Sequence, residues 1–359
     1  MASLEVLMLT QELIREVRRY DRSDINIIRD LLQRGANING RDDDKDDWYS
    51  EAPLMILATN GDESLPIIVE LLKHENLDLN AQVKYGDTAL IAASLRGYAE
   101  VVRTLLKDGR VEVNGKDKHG GTALMNASHF GHPEVVRILL EDNRVDVDVK
   151  DSRGRTALII ASQGGKQEVV KVLLKDGKVD VNAKDNDGKT GLIWAIRCGR
   201  EEVVDVILKD DRMDINATDN QGRTALIEAS YRDTKKRNRT VGILLKDDRV
   251  EVNATDYRGH SAFFWANYCG SPNTIRMFLN HGRADVNAAG GAIGNTALMW
   301  ACLRGQDDIV SELLAFPMVD VQAKNKAGST ALDIARELQM LEIARLLEAR
   351  AEFDSWRDL

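Results

Sequence analysis

Three of the five tryptophans, Trp194, Trp265 and Trp300, each stand four residues after a threonine or serine, and the same offset from Thr224 gives Glu228. Three or four positions beyond that slot lie Arg197, Tyr231 with Arg232, Tyr268 and Arg304, and the matching place upstream holds His129 and Phe130. Rings, one carboxylate and several guanidinium groups at a constant offset suit noncovalent recognition, because ring faces attract cations and a carboxylate receives N–H groups. Aromatic residues are only 5% of the chain, so their concentration at this offset reads as a groove lining. The same spacing also suits rings that stack on one another and stiffen the layer carrying them; both readings stand at this level. Bond-making chemistry has no comparable constellation. His74, His119, His129, His132, His260 and His281 are scattered without metal-ligand spacing. Neither a phosphate-binding loop, a nucleophile elbow nor a dinucleotide fingerprint occurs. The acidic stretch DDDKDDWYSE alternates Asp42, Asp44 and Asp46, yet Asp47 stands where a calcium loop needs glycine and Pro53 where it needs the closing glutamate. No enzyme activity, metal or cofactor is therefore expected.

The elements that position these residues recur. A Thr-Ala-Leu register returns at Thr88, Thr122, Thr156, Thr190, Thr224, Thr296 and Thr330, with Ser261 in the same role, in steps of 34, 37 and 35 residues. Such a period marks stacked supersecondary units. Within each unit the threonine is a good helix N-cap, and Gly131, Gly165 and Gly199 sit where a first helix must turn into a second. The second helix, for example from Pro133 to Glu141, carries Val135, Val136, Ile138, Leu139 and Leu140 toward its neighbours. Counting the threonine as slot one, slots two, three, six and seven are apolar or small and share a face, so slots five and eight should point away from the core.

The pattern T-x-L-x-x-A, then VV-x-x-LL, then VDVN resembles the ankyrin repeat. The resemblance implies an all-α ankyrin-repeat solenoid of helix-turn-helix units with extended β-hairpin-like fingers. It implies one domain over 1–359: a capping unit at 4–40, repeats at 41–81, 82–115, 116–149, 150–183, 184–217, 218–254, 255–288 and 289–323, and a capping unit at 324–359. Where the family usually has histidine in T-P-L-H, this chain has mostly apolar residues such as Ile91, Met125 and Ile159, which implies a greasier seam between repeats. The resemblance also implies two recognition surfaces. One is the concave face, with Trp194, Arg197, Glu228, Tyr231, Arg232, Trp265, Tyr268, Trp300, Arg304 and Phe130 as its candidates. The other is the finger tips, with Tyr85, His119, Arg153, Asp187, Tyr257 and Arg258.

Charge narrows the partner. With 49 basic against 58 acidic side chains the net charge is -9, which disfavours nucleic acid or an anionic membrane as the main partner. Cys198, Cys269 and Cys302 are too few and unpaired for a disulfide scaffold. Without a secretory signal or an apolar run of membrane-spanning length, the expected address is cytoplasmic, with a nuclear or pathogen-secreted location left open. The expected role is a monomeric, noncatalytic scaffold or adaptor holding a protein or peptide, its basic segment drawn by Glu228. A small-molecule or nucleotide sensor is the alternative, because the same aromatic and charged groups could hold bases and phosphates. A basic run in the 218–254 repeat, Lys235, Lys236, Arg237 and Arg239, reads either as a solvated helix extension or as an anion contact.

Overall fold

The computed structural model describes residues 2–19, 24–41, 52–83, 85–231 and 235–357. The hydroxyls of Thr88, Thr122, Thr156, Thr190, Thr224, Ser261, Thr296 and Thr330 each accept the backbone N–H three residues on, which satisfies one of the free donors at a helix start. The short helix that follows ends at a residue such as Gly131, whose φ of 84° is left-handed, a conformation that costs glycine no Cβ clash. A second helix then packs its apolar stripe inward; Val135, Val136, Ile138, Leu139 and Leu140 are all buried.

The chain folds as two compact units, Met1–Asn186 and Asp187–Leu359. The first contains α1 (Ala2–Val17), α2 (Ile25–Gln33), α3 (Pro53–Asn60), α4 (Leu65–Leu72), α5 (Ala89–Arg96), α6 (Ala99–Leu106), α7 (Ala123–Phe130), α8 (Pro133–Glu141), α9 (Ala157–Gly164) and α10 (Gln167–Asp176). The second contains α11 (Gly191–Arg197), α12 (Glu201–Ile207), α13 (Ala225–Ser230), α14 (Lys235–Leu245), α15 (Ala262–Tyr268), α16 (Pro272–His281), α17 (Ala297–Leu303), α18 (Asp307–Leu314), α19 (Ala331–Glu337) and α20 (Leu341–Arg357). Within each unit the odd-numbered helices pack on one another in order, and the even-numbered ones do the same.

The fingers are hairpin-like turns closed by backbone bonds such as Asp117 N–H to Gly121 O at 2.9 Å and Asp219 N–H to Arg223 O at 3.0 Å. Among the described residues the only β pairing is two isolated bridges, Thr255 with Ser261 and Gly290 with Asn295. Several turns are also held by an aspartate: Asp117 Oδ1 accepts the N–H groups of His119 and Gly121, and Asp219 Oδ1 those of Gln221 and Arg223. Adjacent tips are joined by single backbone bonds, Lys118 N–H to Tyr85 O and Tyr257 N–H to Gln221 O, both 3.0 Å.

An amide column also ties repeats together. Asn114 donates to Arg144 O and accepts from Asp146 N–H, and Asn80, Asn216, Asn253 and Asn287 repeat this double bond. Asp148 occupies the column in the 116–149 repeat; it accepts Asp180 N–H at 3.1 Å but, once ionised, has no N–H to donate. Burial, backed by Asp180 and Asp146, raises its pKa despite the opposing bond from Asp180 N–H. A carboxyl whose folded pKa is raised contributes stability below its unfolded pKa and loses that contribution as pH rises through the folded value. Asp148→Asn is therefore expected to stabilise the protein at pH 7 by about 0.5–1.5 kcal/mol, the worth of one restored hydrogen bond. The gain should shrink at acid pH, below the raised pKa at which the Asp148 carboxyl itself protonates. Urea unfolding at pH 7 and at acid pH checks both the sign and the trend.

One helix end departs from the glycine pattern. Gln339 occupies the inter-helix position of the last repeat with φ of 58°, the one positive-φ residue other than glycine among the described residues. Left-handed backbone costs an ordinary L-residue about 1–2 kcal/mol, while glycine gives back part of that gain in unfolded-state entropy. Gln339→Gly should raise stability by about 0.5–1 kcal/mol, read as a higher melting temperature, and Gln339→Val should lower it.

Candidate partner-binding site

A charged cleft of about 540 Å³ lies in the second unit. Its floor is the start of α13 and its walls are finger residues and the ends of neighbouring helices. Glu228 forms the floor but is not the open carboxylate that slot counting implied: it is 3% exposed. Three arginines gather over it, Arg223 at 3.3 Å, Arg237 at 3.7 Å and Arg197 at 3.9 Å. Burying a carboxylate is costly unless cations are buried with it, and here three guanidinium groups surround it. Attraction of a basic partner by Glu228 is accordingly corrected, because its charge is already matched within the chain.

Two of those arginines are ones that sequence reasoning passed over as groove residues. Arg223 stands immediately before the cap Thr224 and is clamped by Asp219 through Nε and Nη2 at 3.0 and 2.8 Å. That column changes from repeat to repeat, through Asp87, Gly121, Arg155, Lys189, Arg223, His260, Asn295 and Ser329, and this variation at a fixed register was the available signal. Arg237 comes from the basic run on α14. It turns inward, donates to Glu228 O at 2.9 Å and Arg197 O at 3.1 Å, and is almost buried. Arg239 pairs with Glu201 at 2.7 Å and Asp205 at 3.4 Å. Arg237 is thus spent inside the unit, while Lys236 and Arg239 are exposed.

The slot-five side chains are less open than expected. Ile56, Ala92, Ile160 and Ile334 are buried, whereas Asn126, Trp194, Trp265 and Trp300 are half-buried. The wide face of a short inner helix is covered by its neighbours, so only large or polar side chains reach past them. Trp194 lies under two cations, Lys189 at 5.6 Å and Arg197 at 5.8 Å from the ring centroid. Trp265 donates from Nε1 to Asp256 at 3.0 Å and meets Tyr231 at 4.7 Å and Tyr268 at 5.6 Å between centroids. Tyr268 in turn reaches Trp300 at 6.1 Å and carries Arg304 over its face at 4.4 Å. These rings brace one another and keep an open edge.

A second cleft, about 350 Å³, is lined by Tyr257, Arg258, Asp256 and Trp265 and shares Asn220, Gln221, Arg223 and Tyr231 with the first. The two form one groove along the fingers of the second unit. Tyr257 is 77% exposed at its rim, and Asp187 at the other end is exposed and bonded to Lys189 at 2.8 Å. In the first unit Tyr85, His119 and Phe130 are exposed but line a different cleft, and Arg153 is exposed outside both. Arg232, Lys84 and the acidic stretch with Asp42, Asp44 and Asp46 lie outside the described residues.

No group of three or more His, Cys, Asp or Glu side chains among the described residues could hold a metal ion. Burial pushes the Cys302 thiol up to about 12, so it offers no thiolate at neutral pH. Among the described residues no helix is long and apolar enough to cross a membrane.

Paired helices stacked in register, with turn-tipped fingers along one edge, define a helical repeat protein whose surface is arranged for recognition. Models of ankyrin repeats match residues 17–117, 54–151, 124–219, 168–256 and 263–355, and the chain belongs to the ankyrin repeat family. The crystal structure of the ankyrin repeat protein EF0377 is similar with a TM-score of 0.51 and 25% identity, over 56% of this chain and 98% of that one. Ankyrin repeats are generally protein-interaction modules.

Proposed function

We propose that the protein is a noncatalytic interaction module and that its second unit captures a polypeptide segment in the groove running from Arg197 past Tyr231 to Trp265 and Arg258. The observation that carries this reading is the continuity of the two clefts through Asn220, Gln221, Arg223 and Tyr231. A groove of shared walls receives a chain better than a compact ligand. Internal pairing consumes most of its charges: Lys189 with Asp187, Arg223 with Asp219, and Glu228 with its arginines. Arg197 and Arg258 remain at the exposed rim, Arg197 meeting Glu228 only at 3.9 Å. An acidic side chain in the bound segment is therefore favoured, with its neighbours lying on Tyr231, Trp265 and Tyr257.

Panning a random peptide display library on the folded protein tests this. Enriched sequences should contain Asp or Glu and should bind at least about tenfold more weakly to Arg197→Ala and to Tyr231→Ala, a loss of about 1.4 kcal/mol. Peptides that bind both variants as well as the parent, with the far-ultraviolet dichroism and melting unchanged, would place recognition elsewhere.

A further inference from the structure

The residue just before the cap threonine behaves in one consistent way where it is charged and basic. Arg155 pairs with Asp151, Lys189 with Asp187 and Arg223 with Asp219, each at 2.8 Å. The 82–115 repeat inverts the arrangement. Its residue in that column is Asp87, and Val83 stands where the following fingers have Asp117 and Asp151. The acid has taken the place of the base and no base replaces it. Among the described residues Asp87 has neither a side-chain hydrogen bond nor an ion pair within 4 Å.

The charged groups facing Asp87 do little to compensate. Asp117 repels it and His119 offers weak relief; burial is the main cause that holds the Asp87 carboxyl above its ordinary pKa. Asp117 is itself engaged, taking the N–H groups of His119 and Gly121 on one oxygen and the Asn126 amide on the other at 3.3 Å. Both carboxylates border a cleft of about 430 Å³ in the first unit, whose walls include Leu95, Met125 and Ile160. At its mouth stand two exposed rings, Tyr85 at 44% and Phe130 at 46%. His129 braces Phe130 edge-on at 4.8 Å. On the far side Arg155 is occupied by Asp151 and by Gln163 at 3.0 Å, so it does not turn toward Asp87 as a counter-ion.

Apolar walls, open ring faces and an unmatched carboxylate at the inner end fit one kind of side chain, an aliphatic stem ending in a cation. We infer that the cleft bounded by Tyr85, Asp87, Asp117 and Phe130 receives a lysine or arginine side chain of a partner polypeptide. The stem lies along Met125 and Ile160, the charged head meets Asp87, and the rings flank it. The inference rests on the reading that this chain binds polypeptides, but it names a different surface and an opposite charge preference from the groove of the second unit.

Three eight-residue peptides of glycine and serine, carrying a central arginine, norleucine or glutamate, serve as probes, with amide and carboxyl NMR shifts followed on the full chain. The arginine peptide should bind about tenfold more tightly than the norleucine peptide. It should move the resonances of Tyr85, Asp87 and Phe130 and lower the measured pKa of Asp87. Asp87→Asn should remove the preference for arginine and Phe130→Ala should weaken binding severalfold, whereas Arg197→Ala should leave both unchanged. Equal binding of arginine and norleucine peptides, or an arginine preference that survives Asp87→Asn, would overturn the inference. If library-selected acidic peptides bind the second-unit groove while the arginine peptide does not bind the first, this inference alone fails. If the arginine peptide binds at Asp87 and no peptide depends on Arg197 or Tyr231, the groove reading alone fails.

Discussion

Glu228→Ala is expected to destabilise the second unit by about 3–5 kcal/mol, the range for breaking a buried charge cluster by removing one partner. The side chain is 3% exposed, and its loss leaves Arg223 and Arg237 almost buried with their common carboxylate gone. Arg223 keeps Asp219, and Arg237 keeps its bonds to the carbonyl oxygens of Glu228 and Arg197, so the unit should weaken locally rather than unfold at once. Hydrogen exchange should therefore accelerate first in α13 and in the start of α14. Glu228→Gln preserves shape and one acceptor and should cost less than the alanine variant. The pair separates charge from packing: equal losses for Gln and Ala would assign the whole effect to the negative charge, whereas no loss for Gln would mean that the charge is immaterial. A folded Glu228→Ala protein as stable as the parent in urea would contradict the buried-cluster reading.

Phe278→Ala should cost about 3–5 kcal/mol, because a fully buried aromatic ring is removed from a packed seam. The residue lies seventeen positions after its cap Ser261, a column that holds Leu105, Leu139, Leu173, Ile207 and Leu313 in other repeats. All of these side chains are 0–1% exposed, and Phe278 is the largest. The extra volume is accommodated by a second exception: Phe263 occupies a column otherwise filled by leucine, and the two rings meet edge to face at 5.8 Å and 74°. Such a contact is worth about 0.5–1.5 kcal/mol beyond its buried area. Phe278→Leu restores the usual residue of the column yet should still be destabilising, since the space around it is built for a ring. Because each repeat leans on its neighbours, the loss should appear as reduced amide protection spreading from α16 into α15 and α18. Urea titration followed by far-ultraviolet dichroism gives the magnitude.

Much of the architecture was legible because it depends on short-range geometry repeated many times. A threonine before Ala-Leu caps a helix wherever it occurs, and all eight cap residues do so through the same hydroxyl contact. The apolar columns of α8 were readable from their spacing for the same reason. The hairpin-like fingers were foreseen from the same repeat, and their tips are joined to the next finger by single backbone bonds.

The candidate site was legible as a set of positions and much less as a set of charges. Slot counting brought Trp194, Glu228 and Trp265 to one side, yet it treated a helix as a cylinder in solvent. A slot's openness depends on which side chains from the next finger and the next helix fold over it. Arg237 covers Glu228 although nine residues separate them, and it comes from a basic run whose composition suggested only surface. Asp87 shows the converse. It is an ordinary turn residue in the sequence, and it becomes an unmatched carboxylate because the cleft around it brings Asp117 near while the arginine lining that cleft, Arg155, is held by Asp151 and Gln163.

By itself the sequence determined the repeat period, the caps and the buried columns, since each follows from periodicities that a helix imposes on its own residues, and the wording of its repeats carried the resemblance to the family. The tertiary structure decided which charges are already spent and which still face outward. Long side chains such as arginine reach farther than the spacing of the backbone that bears them, so their partners are chosen by packing between repeats and not by position within one.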